Sequence, residues 1–269
     1  MTRLKELALR FANAAMIKAL AWIHGRYEHP PTYRIGKDGT AAQFEGAWFV
    51  YDASAYGATG NIDYIPDAEN QTRTELFARI KDGEVFYDIG AHGGVYTITL
   101  ARRFPRLAVH SFEPQPEELL ENLKINDLAI SNVHAVALGE HAGVVMMTTK
   151  NRSSNHVNDQ GDREVSLVRL DQYVKEHSLE LPNWIKIDIE GLELPALRGA
   201  ENILRASKPT IIAEINHLSG RYGSTIPDFL TYMRSLGFEV HSLANGKLEP
   251  IFGDVLPYSA NWNYWFLPR

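Results

Sequence analysis

The chain has 269 residues, 45% of them hydrophobic and 22% charged, with 20 glycines and 13 prolines, an ordinary globular composition that excludes disordered, collagenous and coiled-coil classes. Its 27 Lys and Arg against 33 Asp and Glu leave a formal charge of -6, so no basic footprint for nucleic acid or anionic lipid exists. Cysteine is absent, which excludes disulfides, thiolate nucleophiles and Cys-ligated zinc.

At the start, Leu4, Leu7, Ala8, Phe11, Ala15 and Ile17 recur at helical spacing and predict an amphipathic helix. Its apolar face has no evident partner in the main domain, which makes it a candidate homodimer contact; docking to the domain itself or to a membrane surface are the alternatives. The apolar run Phe11 to Ile23 is interrupted by Lys18 and is too short to span a membrane. Glu6 dilutes the basic start that a signal peptide wants, so a cytoplasmic protein is expected. From Gln43 to Ile65 the text is aromatic and glycine-punctuated, with Phe44, Trp48, Phe49, Tyr51, Tyr56 and Tyr64, and reads as short strands or loops forming a substrate lid or a cap on a sheet edge. Residues 1–68 are therefore taken as an extension and 69–269 as the main domain, entered through a helix over 69–81.

Beyond Gly83 apolar strands alternate with helices. Strands are predicted at 85–89, 108–112, 133–138, 184–189 and 209–215, helices at 95–103, 117–128, 192–206 and 226–236, and closing strands at 239–243 and 263–267. This alternation predicts a mostly parallel, doubly wound α/β sheet with helices on both faces. In such sheets ligands bind beyond the carboxyl ends of the strands.

The first strand runs into Asp88, Gly90, Ala91, His92, Gly93 and Gly94, then a helix. Glycines there let the backbone approach a ligand and leave helix N–H groups to meet it, so a nucleotide-like cofactor is expected. The spacing is not GxGxxG, because His92 stands where that pattern needs glycine. The second strand ends at Glu113, followed by Pro114, and an acid at this distance suits the vicinal hydroxyls of a ribose. The alternative is a helix-capping role. The fourth strand ends Lys186, Ile187, Asp188, Ile189, Glu190, whose period of two puts the three charges on one face. The fifth ends Glu214, Asn216, His217. Asp188, Glu214 and Asn216 form a candidate oxygen-rich site for a divalent cation, and Asp188, Glu214 and His217 are the candidate catalytic groups; an internal Lys186–Asp188 ion pair is the structural alternative. Asn155 and His156, in a polar loop, are further candidate acceptor contacts.

These residues resemble the FkbM-type S-adenosylmethionine-dependent methyltransferases, through VFYDIGAHGGVYTITLA at 85–101, FEPQPEELLENLKIN at 112–126, VALGEHAG at 136–143, LDQYV at 170–174, IKIDIEGLELPALRGA at 185–200 and IIAEIN at 211–216. The resemblance implies a class I methyltransferase (Rossmann-like) fold, a seven-stranded sheet closed by an antiparallel hairpin. It implies that Asp88, Gly90 and Gly94 build the cofactor loop, with Ala91, His92 and Pro114 beside it, that Glu113 holds the ribose, and that Asp188 with Glu190 borders the methyl group. His92 departs from the Asn usual in the family. The implied activity is methyl transfer to a hydroxyl of a sugar, glycolipid or polyketide-type small molecule. A nicotinamide oxidoreductase and a non-catalytic methyltransferase-like module are the rivals; the first predicts a GxGxxG loop that the chain lacks, the second the loss of cofactor contacts that the chain keeps.

Overall fold

The computed structural model describes residues 32–36, 39–51, 69–130, 132–149, 155–257 and 262–269. Two units separate along the chain, Met1–Asp67 and Ala68–Arg269, and each stands by itself below. The described part of the first is an antiparallel sheet of β1 (Thr32–Gly36), β2 (Gly39–Phe44) and β3 (Ala47–Tyr51). Glu45 and Gly46, both at positive φ, make the two-residue turn between β2 and β3. Trp48 and Phe49 thus belong to a strand. The rest of the expected lid or cap, and the amphipathic helix expected over 4–17, lie outside the described residues.

The second unit begins with α1 (Asn70–Arg79) and continues through β4 (Val85–Ile89), α2 (Val95–Arg103), β5 (Ala108–Phe112), α3 (Glu117–Ile125) and the two-residue strands β6 (Val133–His134) and β7 (Ala137–Leu138). There follow β8 (Gly143–Met147), β9 (Arg163–Val168), α4 (Leu170–His177), β10 (Trp184–Ile187), α5 (Glu193–Arg198), α6 (Glu201–Ser207) and β11 (Thr210–Glu214). A 3-10 helix at His217–Tyr222, α7 (Ile226–Ser235), β12 (Phe238–Ala244), β13 (Lys247–Pro250) and β14 (Asn263–Pro268) complete it. The start of α7 is fixed by a reciprocal capping box between Thr225 and Asp228.

The main sheet has the order β13-β12-β14-β11-β10-β4-β5-β6. β11, β10, β4, β5 and β6 run parallel, and β14 is inserted antiparallel between β11 and β12. The first and fourth expected strands, β4 and β10, are neighbours. Successive side chains of β4 go to opposite faces: Val85, Tyr87 and Ile89 enter the larger core with α4 to α7, while Phe86 packs with Leu76, Ile80, Tyr96 and Leu100 of α1 and α2. Burial on both faces is why these strands read as apolar-rich runs rather than as a strict apolar–polar alternation.

Four expectations are corrected. The sheet has eight strands among the described residues, because Asn245 and Gly246, both at positive φ, fold β13 back on β12. The run 133–138 is two strands in different sheets: β6 pairs with β5, whereas β7 joins β9 and β8 in a small separate sheet. The helix over 192–206 breaks at Gly199, where a Cβ would overlap the Gly139 carbonyl oxygen. The fourth strand ends at Ile187 rather than 189, so Glu190 does not share a strand face with Lys186 and Asp188.

Candidate active site

The glycine loop grows from the end of β4. Gly90 and Ala91 both donate their N–H to Phe112 O at the tip of β5, at 2.9 and 3.4 Å. Gly90 has φ 83°, and a Cβ there would overlap the Asp188 carbonyl oxygen and lie 2.9 Å from Ile189 Cγ2, so the tip of β10 is pressed against this loop. Gly94, φ 82°, is the N-cap of α2. Asp88 is buried and ties strand to helix: its Oδ2 accepts from Thr97 N at 3.0 Å and Thr97 Oγ1 at 2.5 Å. Burial pushes the Asp88 pKa up to about 6 against these hydrogen bonds and the Lys186 charge.

Glu113 is buried at the tip of β5, and its two oxygens hold backbone amides on either side of it. Oε2 accepts from His92 N and Oε1 from Gln115 N, both at 2.9 Å. Pro114, with no N–H, lies between. Burial pushes the Glu113 pKa upward against these two donors. His92 itself has φ 47°, and its Nε2 stands 3.8 Å from Glu118 Oε2. The expected capping and ligand roles of Glu113 are thus compatible, since each carboxylate oxygen keeps lone pairs beyond its one amide. Gln115 carries the arrangement outward: its Nε2 donates to Thr148 O and its Oε1 accepts from Asn155 Nδ2, each at 3.0 Å. His156 donates its backbone N–H to Thr148 Oγ1.

The tips of β10 and β11 carry a buried acidic cluster around Lys186, whose side chain is 2% exposed. Lys186 Nζ lies 3.2 Å from Asp188 Oδ2 and 4.0 Å from Glu69 Oε1. Glu69 Oε1 also accepts from Asn263 Nδ2 at 2.7 Å, which fastens α1 to β14. For Asp188, burial opposes ionisation, but Lys186 and a hydrogen bond from Glu214 hold its carboxyl below the ordinary value. Glu214 is the reverse case: burial, the Asp188 charge and the shared hydrogen bond push it up to about 10. Of the two hydrogen-bonded carboxyls, Asp188 is thus biased toward its ionised form and Glu214 toward its protonated form. His217 opens the 3-10 helix just beyond β11 and is exposed.

Glu190 is presented differently. It has φ 59° and is half-buried, and no hydrogen bond reaches its carboxylate among the described residues. Burial and the Asp188 charge, opposed by Arg221, push its pKa up to about 7. Its backbone is clamped by the buried Glu193, whose Oε1 accepts from Ile189 N at 2.9 Å and Gly191 N at 3.1 Å. Gly191, φ 110°, would with a Cβ lie 2.5 Å from Leu218 O. Tyr222, beside Gly191, donates to Val157 O at 2.7 Å.

The candidate cation set does not fit a divalent ion. Lys186 already supplies the positive charge against Asp188 and Glu69. Asn216 spends its Oδ1 on Leu218 N at 2.7 Å and turns its Nδ2, a donor, to Glu214 Oε1 at 2.7 Å. No group of three or more His, Asp or Glu with metal-holding geometry occurs among the described residues.

Asp88, the 90–94 loop and Glu113 thus come together, with Asp188 and Glu214 alongside, and the Lys186–Asp188 ion pair that stood as the alternative to a cation site exists. Glu69, Thr97, Glu193 and Asn263 were not expected. Glu193 had a signal, three residues beyond Glu190 at the start of a helix; Glu69 and Asn263 are 117 and 77 residues from Lys186 in sequence and had none.

Residues 88–240 match the family model described as Methyltransferase FkbM domain. The 31-O-demethyl-FK506 methyltransferase FkbM of Streptomyces tacrolimicus is 23% identical over 210 residues, 64% of this chain and 78% of that protein. The hexuronic acid methyltransferase AglP of Haloferax volcanii is 25% identical over 180 residues, 62% of this chain and 74% of that one. A solved methyltransferase FkbM from Methylobacillus flagellatus KT superposes with a TM-score of 0.46 at 20% identity, over 70% of this chain and 44% of that one. No helix among the described residues is long and apolar enough to cross a membrane.

Proposed function

Because the chain belongs to the Methyltransferase FkbM domain family, and is a methyltransferase, we propose that it uses S-adenosylmethionine to methylate a hydroxyl of a small molecule of sugar, glycolipid or polyketide type. The observation that carries this reading is the pairing of the Gly90–Gly94 turn with the buried Glu113 carboxylate at the neighbouring strand tip, joined through His92 N.

The residues fit this cofactor. Glu113 is held rigidly enough by two amides to receive vicinal ribose hydroxyls, and Gly90, Ala91, His92 and Gly94 offer backbone without bulk at the start of α2. Asp88 keeps that helix start in place through Thr97. When bound, the cofactor supplies an electrophilic methyl group on a positively charged sulfur. Asp188, ionised and with its side chain 32% exposed, presents negative charge beside the loop and can accept a hydrogen bond from the incoming hydroxyl. Lys186 and the protonated Glu214 hold Asp188 in place, and such positioning is the main catalytic demand of an in-line displacement. The name of the 31-O-demethyl-FK506 relative supports an oxygen acceptor, and that of the hexuronic acid relative a sugar-acid substrate.

Thermal-shift measurement tests the cofactor. S-adenosylhomocysteine at about 100 times its Kd should stabilise the chain by roughly 2.7 kcal/mol, whereas NAD should produce no shift. Stabilisation by NAD alone would sink the reading. A panel of sugar and polyketide hydroxyls with labelled methyl donor then identifies the acceptor.

A further inference from the structure

We infer that Gln115 and Tyr222 are positioning residues: they hold residues 155–157 across the mouth of the cofactor crevice, so that bound cofactor escapes only when this span lets go of one of its ends. The inference rests on the cofactor reading above.

The span is anchored on both sides of the glycine loop. In the main sheet β4 lies between β5 and β10, so the 90–94 turn, which grows from β4, is flanked by the tips of those two strands. Beyond the β5 tip, Gln115 grips both legs of the span: its Oε1 accepts from Asn155 Nδ2 and its Nε2 donates to Thr148 O. Beyond the β10 tip, the ring of Tyr222 fills the space beside Gly191, where its Cε2 would lie 3.1 Å from a Cβ, and its hydroxyl donates to Val157 O at 2.7 Å. Neighbouring strands lie about 4.8 Å apart, which separates β5 from β10 by about 10 Å, and three residues of extended chain cover about that distance. Residues 155–157 therefore pass over the end of β4, with the glycine loop beneath them.

The backbone of the span is turned to suit its anchor. His156 O accepts from Thr148 N, and Asn158 N donates to Met146 O, which seats the segment antiparallel to the end of β8 with Val157 opposite Met147. In that pairing the peptide groups of Val157 point away from β8, and from that side Tyr222 reaches the carbonyl oxygen. The Asn155 side chain is turned to Gln115, and the His156 backbone is held by Thr148. These two residues, expected from sequence as acceptor contacts, thus build the span.

Release of S-adenosylhomocysteine from the full chain, followed by surface plasmon resonance, tests this. Tyr222→Phe keeps the ring against Gly191 and deletes the bond to Val157; Gln115→Met keeps the side-chain length and deletes both bonds at the other end. Each should raise the dissociation rate about two- to tenfold, the net worth of a hydrogen bond. Circular dichroism checks each fold, and either variant that folds decides the matter. Tyr264→Phe on β14 deletes a hydroxyl bond of the same 2.7 Å length, to Pro257 O, and should leave the rate unchanged, which separates positioning from a general loss of stability. In the unaltered protein the ligand should also slow amide exchange at 156–158, and Tyr222→Phe should cancel part of that protection. Release no faster in the folded variants, equal acceleration by Tyr264→Phe, or exchange at 156–158 untouched by the ligand overturns the inference while leaving the cofactor reading intact. Failure of the ligand to bind the unaltered protein overturns both.

Discussion

His134 offers a quantitative test of how the β5–β6 edge is built. Its side chain is 9% exposed, stacks on Phe112 at 4.6 Å, and places Nε2 3.2 Å from His110 Nδ1 and Nδ1 3.3 Å from the Tyr173 hydroxyl. Burial first, then the charges of His110 and His177, push its pKa from 6.5 down to about 4. The folded protein thus binds this proton less readily than the unfolded chain. The stability it contributes is complete above pH 6.5 and is lost as pH falls through the window down to about 4. Two and a half pKa units correspond to about 3.4 kcal/mol in total, of which about 2 kcal/mol is gone at pH 5. Asp88, Glu190, Glu193 and Glu214 have raised pKa values and act in the opposite sense, gaining stability as pH falls, so the raw pH curve mixes both. The informative quantity is the difference between the unaltered protein and His134→Gln, measured by urea unfolding at about pH 7.5 and pH 5. The cost of the substitution should shrink by about 2 kcal/mol at the lower pH. An equal cost at both would refute the assignment of His134 as a buried neutral imidazole.

Two further substitutions probe the site. Gly90→Ala drives a Cβ into the Asp188 carbonyl oxygen at a positive φ; separation of β4 from β10 should cost on the order of 2–4 kcal/mol in unfolding free energy and weaken S-adenosylhomocysteine binding by calorimetry. Lys186→Met leaves Asp188 and Glu69 without their cation, and should cost roughly 3–5 kcal/mol in the same urea assay at neutral pH.

Where burial pattern alone decides, the strands were legible: 85–89 and 108–112 coincide with β4 and β5, and 95–103 with α2. Part of what escaped was set by contacts distant in sequence, and part carried a local signal. The run Val133 to Leu138 contains no glycine or proline, yet its two ends join different sheets because β9, thirty residues on, draws β7 away from β5. β9 itself, Arg163–Val168, alternates polar and apolar residues in Arg-Glu-Val-Ser-Leu-Val and was readable as a half-exposed strand. Gly199 and the Asn245-Gly246 pair were likewise visible signals of the helix break and of β13. In the site, the loop and Glu113 were recognisable because a glycine-rich turn after one strand and an acid at the tip of the next are both local features of the sequence. The raised proton affinity of Glu214 was not, since it depends on burial and on Asp188 meeting it from the neighbouring strand, against the Lys186 charge.

The lateral margins of the main sheet have a bearing on how this molecule behaves when concentrated. One margin is β13, four residues long, with Lys247, Glu249 and Pro250 exposed, and the other is the two-residue β6. A lysine, an acid and a residue with no amide hydrogen make a poor template for a foreign strand, and two residues are too few to recruit one. Among the described residues eight strands are thus laid side by side with neither border inviting a ninth from another copy, a safeguard against fibrous association written into the least conspicuous parts of the sheet.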